Sequence, residues 1–333
     1  MRIGVIGAGS FGTAMSIVAA RCGNDVKLWA HDPKIAATIR SSNANPTYLG
    51  NVPLDERVEA THDLADAARF SDTIFMVVPS HHYRGVLEQM RDAIEQPVTI
   101  ISGTKGIENE TLERMSEITS SVLGDKLKAF GVLSGPTFAL EAARGDPTAA
   151  VIASRDSECA QQIQKVMSGH LFRLYHSDDV VGVELAGSLK NVIAIAAGVL
   201  EGLGLGFNTT AALITRGLHE ITRLGVAMGG RPETFAGLAG MGDLVLTCTG
   251  SLSRNRRLGA ALGEGKSLTE MLSETREVAE GVRTSKSANA LAQQYKIDMP
   301  ITTEMYRVLY EGESPRDAIK RLMTRSLKAE AAR

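Results

Sequence analysis

Short apolar runs alternate with segments of helical spacing along the first half of the chain. Bounded runs rich in Val and Ile predict strands, and apolar residues three or four positions apart predict helices. The predicted strands are Arg2–Ile6, Val26–Trp29, Ile74–Val78, Val98–Ile101, Phe130–Leu133, Ala149–Ala153 and Phe172–Tyr175. The predicted helices are Phe11–Cys22, Lys34–Ser41, His82–Ile94, Thr111–Leu123 and Ser157–Met167. This alternation predicts an α/β fold with a doubly wound, mostly parallel sheet.

The pattern changes after about residue 178. Leu, Ile, Val and Ala then recur at helical spacing in Val180–Gly204 and Ala211–Met228. Further helical stretches are Ser253–Leu262, Leu268–Leu272, Ser285–Tyr295 and Met305–Tyr310. We therefore expect two domains, an α/β domain over residues 1–177 and an all-α domain over residues 178–333.

A glycine-rich turn lies between the first predicted strand and helix. Gly7, Gly9 and Gly12 follow the G-x-G-x-x-G spacing. Gly7 suits the tight turn, Gly9 lets the backbone approach a pyrophosphate, and Gly12 permits close packing of helix on strand. A helix N-terminus offers free N–H groups and a positive dipole to the phosphates. Because a strand precedes this turn and a helix follows it, the interpretation of the glycines as a purely structural turn is less favoured. The pattern therefore indicates a Rossmann-type dinucleotide-binding domain.

The composition is that of a globular enzyme. The 333 residues include 36 Lys and Arg against 38 Asp and Glu, which argues against a nucleic-acid partner held by bulk charge. Three widely spaced cysteines indicate neither a disulfide framework nor a metal site, and a reducing cytoplasm is expected. The longest apolar run, Val192–Leu200, is shorter than a membrane span.

Two polar positions in apolar or glycine-rich surroundings are candidates for catalysis. Lys190 and Asn191 interrupt a helix of small residues, where burial would lower the lysine pKa from about 10.4. The alternative is a surface lysine. Asp243 lies between glycines and an apolar run. It is either a helix cap or a partner that orients Lys190.

Three further segments are candidates for ligand binding. Ser253 opens a helix with Arg254 and Asn255 in its first turn, an arrangement suited to a phosphate, although it is also an ordinary charged helix start. Lys105 lies in a Gly-Thr-Lys-Gly loop beside the expected cofactor cleft, either bound to ligand or solvated. Gly135-Pro136-Thr137 follows a strand as a backbone nest or a simple turn.

Together these segments resemble the bacterial-type glycerol-3-phosphate dehydrogenases that use NAD(P), over essentially the whole chain. The matching motifs are Gly-Ala-Gly-Ser-Phe-Gly-Thr-Ala (7–14), Leu-Trp-Ala-His-Asp (28–32), Val-Val-Pro-Ser-His (77–81), Thr-Lys-Gly-Ile-Glu (104–108), Ser-Gly-Pro-Thr-Phe-Ala (134–139), Leu-Lys-Asn-Val-Ile-Ala (189–194), Thr-Ala-Ala-Leu-Ile-Thr-Arg-Gly (210–217), Gly-Met-Gly-Asp-Leu-Val-Leu-Thr-Cys (240–248), Ser-Arg-Asn-Arg-Arg (253–257) and Val-Ala-Glu-Gly (278–281).

The resemblance implies a role for each matching residue. It makes Lys190 the catalytic proton donor and acceptor. It places Lys105, Gly135, Thr137, Asp243, Ser253, Arg254 and Asn255 around the substrate. It places Ser10, Phe11, His31, Lys105, Ala139, Arg254, Val278 and Glu280 at the cofactor, beside Gly7, Gly9 and Gly12.

The implied reaction is reversible hydride transfer between NAD(P)H and dihydroxyacetone phosphate, giving sn-glycerol 3-phosphate for glycerophospholipid synthesis, with no metal. Asp32 lies about 20 residues beyond Gly12, where an acidic side chain can accept a hydrogen bond from the ribose 2′-OH. His31 beside it can instead bind a 2′-phosphate. We therefore expect the enzyme to use both NADH and NADPH as cofactors.

Three other interpretations compete with this one. A β-hydroxyacid or 6-phosphogluconate dehydrogenase would share the glycine turn but carry a Lys-x-x-x-Asn pattern, whereas Lys190 and Asn191 are adjacent. A dinucleotide sensor without activity has no need of Lys190 or Asp243, and an interaction protein would need an exposed apolar stripe. The apolar helices around Val192–Leu205 and Ala211–Met228 are either intramolecular core or part of a homodimer interface.

Overall fold

The computed structural model of the protein describes residues 1–274, 279–327 and 329–330. Strands and helices alternate in its first part. They are β1 (Arg2–Ile6), α1 (Ser10–Arg21), β2 (Asp25–Trp29), α2 (Pro33–Ser42), β3 (Ala44–Asn45), α3 (Pro46–Leu49), β4 (Gly50–Pro53), β5 (Val58–Thr61), α4 (Leu64–Arg69), β6 (Thr73–Met76), α5 (Ser80–Arg91), β7 (Val98–Ser102), α6 (Met115–Leu123), β8 (Leu127–Ser134), α7 (Ala139–Arg144), β9 (Thr148–Ser154), α8 (Ser157–Met167) and β10 (Phe172–Ser177).

In the second part, every regular element among the described residues is a helix. Its helices are α9 (Val180–Gly202), α10 (Phe207–Ala227), α11 (Pro232–Ala236), α12 (Asp243–Thr249), α13 (Arg254–Gly263), α14 (Leu268–Glu274), α15 (Glu280–Gln294), α16 (Pro300–Tyr310) and α17 (Pro315–Met323). A π-helical turn, Leu238–Gly242, leads directly into α12. The predicted fold class, a Rossmann-type sheet followed by helices, is confirmed.

Eight strands form one sheet in the order β10-β9-β8-β7-β6-β1-β2-β5. All neighbouring pairs are parallel except β8 and β9. One apolar cluster joins strand residues to α1 and α8, and another joins them to α4, α5 and α6, so helices cover both faces. Such burial explains why the central strands β1, β6 and β7 are mostly apolar. The chain passes to β2 on one side of β1 and to β6 on the other, so ligands are expected beyond the carboxyl end of β1.

Some predicted boundaries were wrong for local reasons. The helix predicted over Thr111–Leu123 begins only at Met115, because Leu112 has a φ of +62° and Ile107 pairs with Arg114 in an isolated bridge. The elements β3, α3, β4, β5, α4, α7, α11, α12 and α17 were not predicted. All but α17 are seven residues or shorter, too short for an apolar repeat to show in a window of about 11 residues.

Helix α9 is the centre of the second part. Every residue from Val180 to Leu200 is buried, and the helix packs against α10, α12, α13, α15 and α16. It is long and apolar enough to cross a membrane, yet all of its most apolar window is buried inside the protein. Burial in a protein core therefore accounts for its composition.

Glycines bring α13 unusually close to α9. A Cβ at Gly198 would lie 1.9 Å from the carbonyl oxygen of Arg256, and a Cβ at Gly259 would lie 1.9 Å from that of Ile195. The two helices therefore meet backbone against backbone. This contact places the first turn of α13 beside the middle of α9, where Lys190 lies.

We expect Gly259→Ala to lower the free energy of unfolding by roughly 1–3 kcal/mol, because the new methyl group would press on backbone that no rotamer change can move. Urea unfolding measures the loss. Gly85→Ala on α5 is the matched control, since no atom lies within 4 Å of its Cβ position, and it should stabilise the protein by up to about 1 kcal/mol. Equal stability of the two variants would contradict the close packing.

Candidate active site

A cleft of about 1480 Å³ runs between the sheet and the helical part. Most of the site residues predicted from the sequence line it. They are Gly7, Gly9, Ser10, Phe11, His31, Lys105, Thr137, Ala139, Lys190, Asp243, Ser253, Arg254, Asn255 and Glu280. The fold thus gathers residues from both parts of the chain around one space.

The turn from β1 to α1 has the geometry that its glycines predict. Gly7 has a φ of +118°, and a Cβ at Gly12 would lie 1.8 Å from the carbonyl oxygen of Gly7. Gly12 therefore permits close packing and does not itself line the cleft. No atom lies within 4 Å of a Cβ at Gly9, and no side chain caps the N-terminus of α1. Its first N–H groups suit a phosphate.

The end of β2 contributes His31 and Asp32. His31 is exposed in the cleft lining, and its ring meets that of Trp29 edge-on at 5.8 Å between centroids. Oδ1 of Asp32 accepts a hydrogen bond of 2.8 Å from the backbone N–H of Lys34 and so caps α2. The His31 side chain is therefore more available to a ligand than that of Asp32, which already caps α2.

The centre of the cleft is a buried cluster of charges. Lys190, on α9, donates to Oδ1 of Asp243 and to Oγ1 of Thr247, the latter at 2.6 Å. Lys105 donates to Oδ2 of the same aspartate at 2.7 Å. Lys190 is 5% exposed and Asp243 is 1% exposed. Asp243 therefore joins two ammonium groups that come from different parts of the chain.

Burial and mutual charge alter the acidity of this cluster. Removal from water lowers the pKa of Lys190 to about 7, an effect that Asp243 opposes and the Lys105 ammonium group reinforces. Burial alone would raise the pKa of Asp243, but the two ammonium groups hold it below its ordinary value. At neutral pH Lys190 is thus able both to give and to take a proton.

The N-terminus of α13 forms another wall of the cleft. Ser253 caps the helix by accepting from the backbone N–H of Arg256 at 3.2 Å, and Arg254 is exposed beside it. Asn255 is already bonded within the protein. Its amide donates to Oδ1 of Asn191 at 3.0 Å, and its oxygen accepts from the N–H of Gly281 at 3.0 Å. One amide hydrogen of Asn255 is left for a ligand.

Gly135 acts through its backbone and does not itself line the cleft. Its φ is +143°, and a Cβ there would lie 2.9 Å from Cα of Ala150. Thr137, two residues on, bonds the Gly135 carbonyl at 3.0 Å and does line the cleft. Gly135 thus shapes the turn that presents Thr137.

Glu280 is held at the edge of the cleft by the first part of the chain. It accepts hydrogen bonds from the backbone N–H of Ser80 at 3.1 Å and from the Ser80 hydroxyl at 2.7 Å. Burial raises its pKa. Val278, which the sequence also assigned to the cofactor, lies outside the described residues.

The side chains of three residues to which sequence reasoning gave no role bond predicted site residues: Thr247, Ser80 and Ser134, whose hydroxyl donates to Oδ2 of Asp243 at 3.4 Å. Thr247 is four residues after Asp243 on α12, so a prediction of this short helix would have placed both on one face. Ser80 meets Glu280 across 200 positions of sequence, and no local signal indicates that contact. Among the described residues, no group of three or more His, Cys, Asp and Glu side chains is arranged to hold a metal ion.

Known proteins resemble this chain along its whole length. The family model for the NAD-dependent glycerol-3-phosphate dehydrogenase N-terminus matches residues 2–160, and that for the C-terminus matches residues 179–320. The glycerol-3-phosphate dehydrogenase (NAD(P)+) of Geobacter metallireducens is 52% identical over 99% of this chain and 98% of its own length. That of Leptospira biflexa is 48% identical over 99% of both.

Solved structures agree with these matches. A glycerol-3-phosphate dehydrogenase from Coxiella burnetii has a TM-score of 0.93 and 41% identity, covering 97% of this chain and 99% of its own. A ketopantoate reductase from Ralstonia eutropha JMP134 has a TM-score of 0.60 at 16% identity, covering 96% of this chain and 100% of its own, and shares the fold alone.

Proposed function

The chain belongs to the NAD-dependent glycerol-3-phosphate dehydrogenase family, and on that premise we propose how its residues divide the work of the reaction. The protein is an NAD(P)-dependent oxidoreductase that interconverts dihydroxyacetone phosphate and sn-glycerol 3-phosphate. The observation that carries the assignment of roles is the buried contact of Lys190 with Asp243 in the cleft.

We assign the cofactor to the lobe of the cleft beyond β1. The open space at Gly9 and the uncapped N-terminus of α1 fit a pyrophosphate. The bound nicotinamide supplies or accepts the hydride, and the protein orients it. The proposed cofactor contacts are Gly7, Gly9, Ser10, Phe11, His31, Lys105, Ala139, Arg254, Val278 and Glu280, and Gly12 supports the turn from outside the cleft lining.

Lys190 is the proposed acid and base. In the reducing direction the ketone oxygen gains one proton, which Nζ of Lys190 gives up, and in the oxidising direction the neutral amine takes that proton back. Its pKa of about 7 suits both directions. Asp243 and Thr247 hold the amine in place. The Lys190 and Lys105 ammonium groups stabilise negative charge that develops on the substrate oxygen.

The substrate phosphate is assigned to the first turn of α13. A phosphate there meets the positive helix end and the fork of the Arg254 guanidinium group, a charge-assisted contact worth roughly 1.5–3 kcal/mol. The proposed substrate contacts are Lys105, Thr137, Lys190, Asp243, Ser253, Arg254 and Asn255, and Gly135 shapes the turn that presents Thr137.

Four further proposals concern the whole chain. We divide it into a dinucleotide-binding domain over residues 1–177 and a catalytic domain over residues 178–333, consistent with the last strand ending at Ser177. We place the enzyme in the cytoplasm, where its three free cysteines would stay reduced, and in the synthesis of glycerophospholipids. We also propose a homodimer, because two neighbouring apolar side chains beside the N-terminus of α10, Leu205 and Phe207, are 40% and 92% exposed. Light scattering in solution tests the dimer.

Lys190→Ala is expected to reduce turnover of dihydroxyacetone phosphate at least about 100-fold, the lower range for loss of a general acid. NADH binding, followed by fluorescence, should change little. Lys286→Ala, on the exposed side of α15, is the control and should match the parent enzyme. A folded Lys190→Ala enzyme within a few-fold of the parent rate would exclude Lys190 as the acid.

His31→Asp is expected to weaken NADPH affinity more than NADH affinity, because the new carboxylate would repel a 2′-phosphate and accept from a 2′-OH. Michaelis constants for both cofactors, measured at one saturating substrate concentration, give the comparison. Equal losses for the two cofactors would place the 2′-phosphate contact elsewhere.

Arg254→Ala is expected to lower the ratio of activity on dihydroxyacetone phosphate to activity on dihydroxyacetone by about tenfold or more, because only the phosphorylated substrate loses a contact. Arg254→Lys should lose part of this preference, since it keeps the charge but not the fork. Arg155→Ala, at an exposed position outside the cleft, is the control. An unchanged ratio would point to Lys105 as the next candidate for the phosphate.

A further inference from the structure

Lys105 lies on a loop that contains no helix or strand, and this loop places its side chain at the active site. The loop connects β7 to α6 over residues 103–114. The Lys105 side chain is 19% exposed, so solvent is within its reach. Its ammonium group shares one carboxylate with that of Lys190, and the two like charges repel each other. Keeping Lys105 at Asp243 therefore requires that the loop be anchored elsewhere.

Two anchors lie on either side of Lys105. The Thr104 hydroxyl donates to the carbonyl oxygen of Val78 at 2.8 Å, and the Ser188 hydroxyl donates to that of Gly106 at 3.3 Å. These neutral bonds fix the backbone next to the lysine. They do not hold the rest of the loop, which turns through Leu112 at a φ of +62°.

The distal half of the loop is held by Arg84 of α5 and by Arg114, whose guanidinium group donates to Glu184 of α9 at 2.7 Å. Arg84 meets Glu108 through two parallel hydrogen bonds, from Nε at 2.9 Å and from Nη2 at 2.6 Å. Nη2 also reaches Glu113 at 2.6 Å. The guanidinium group holds the pKa of Glu108 below its ordinary value, so the pair is charged at neutral pH. Such bidentate pairs are strong and geometrically specific.

Arg84 is well placed to serve as a fixed point. It lies on α5, whose neighbouring residues Tyr83 and Leu87 are completely buried. The Tyr83 hydroxyl shares a hydrogen bond of 2.9 Å with Thr119 of α6. The helix is therefore anchored in the core beneath the sheet, and Glu108 is only three residues after Lys105.

We propose that Arg84 is a positioning residue for catalysis, which acts through Glu108 to hold the loop that places Lys105 at Asp243. This inference rests on the proposed function of Lys105 at the substrate. Arg84 itself is outside the cleft lining, so its substitution alters the reaction only by displacing the loop.

The test compares Arg84→Gln, Lys105→Met and the double variant, with Arg91→Gln as control. Arg91 is an exposed arginine in the last turn of the same helix. Arg84→Gln should lower kcat/KM for dihydroxyacetone phosphate about tenfold, within the hundredfold loss that a displacement of about 1 Å can cause. Arg84→Lys should give an intermediate loss, since it lacks the fork. Arg91→Gln should match the parent enzyme.

The double variant separates positioning from general support of the fold. If Arg84 acts through Lys105, Arg84→Gln should have no further effect on kcat/KM once Lys105 is replaced by Met. Additive losses would overturn the proposal. If Lys105→Met alone keeps the parent kcat/KM, the proposed role of Lys105 fails; if only the Arg84 variants keep it, the positioning role alone fails.

A pH profile provides a readout that general destabilisation would not move. The Lys105 ammonium group contributes to lowering the pKa of Lys190, which burial also lowers and Asp243 raises. Thr247 accepts a hydrogen bond from Lys190, and the buried thiol of Cys248 interacts with its charge. Displacing Lys105 should raise that pKa, so the high-pH limb of ketone reduction should move to higher pH in Arg84→Gln. An unmoved limb with an equally lowered kcat/KM would indicate a structural role.

Glu108→Gln keeps the proposal testable if Arg84→Gln does not fold. This substitution leaves Arg84 and its contact with Glu113 intact and removes only the negative charge of Glu108. It should reproduce the loss in kcat/KM and the shifted limb at an unfolding temperature close to that of the parent enzyme. Parent kinetics in a folded Glu108→Gln enzyme would overturn the proposal.

Discussion

The active site depends on keeping one carboxylate, that of Asp243, buried between two ammonium groups. A lone buried charge costs several kcal/mol, and removing one partner of a buried pair is more damaging still. With Lys190 protonated and Lys105 in place, the three charges sum to one positive charge, and both Lys190 and Asp243 are buried. Such a cluster favours an oxygen that becomes negative as a carbonyl is reduced, because the stabilising charges are already in position.

The rest of the fold supplies the rigidity that this cluster requires. Close backbone contact between α9 and α13 fixes the first turn of α13, the proposed phosphate site, relative to Lys190. The π-helical turn directly before Asp243 packs against α11 so tightly that a Cβ at Gly240 would lie 2.0 Å from the carbonyl oxygen of Phe235. Irregular helical turns of this kind often occur at functional sites. Here the turn determines where α12 begins and so where the carboxylate lies.

The sequence predicted the features that depend on local pattern. The β1–α1 turn follows from three glycines, and the small residues around Lys190 indicated a lysine inside a packed helix. Asp243 was left open between a helix cap and a partner of Lys190; it bonds Lys190, and Gly242 precedes it as the cap. The contacts of Arg84 with Glu108 and of Ser80 with Glu280 depend on tertiary packing, for which a single sequence carries no periodic signal.

Around the cleft, three carboxylates of the second part accept hydrogen bonds from the first part, while one bond, from the Ser188 hydroxyl to the Gly106 carbonyl, runs in the opposite direction. Ser80, Lys105 and the Arg114–Ser116 segment donate from the first part, and Glu280, Asp243 and Glu184 accept from the second. Glu184 and Asp243 are buried, so separating the two parts would remove the Arg114 and Ser116 partners of Glu184 and leave Asp243 with Lys190 as its one ammonium partner. The geometry of the proposed catalytic cluster therefore depends on the interface between the two parts. Neither part alone holds both ammonium groups, and both groups lower the pKa of Asp243.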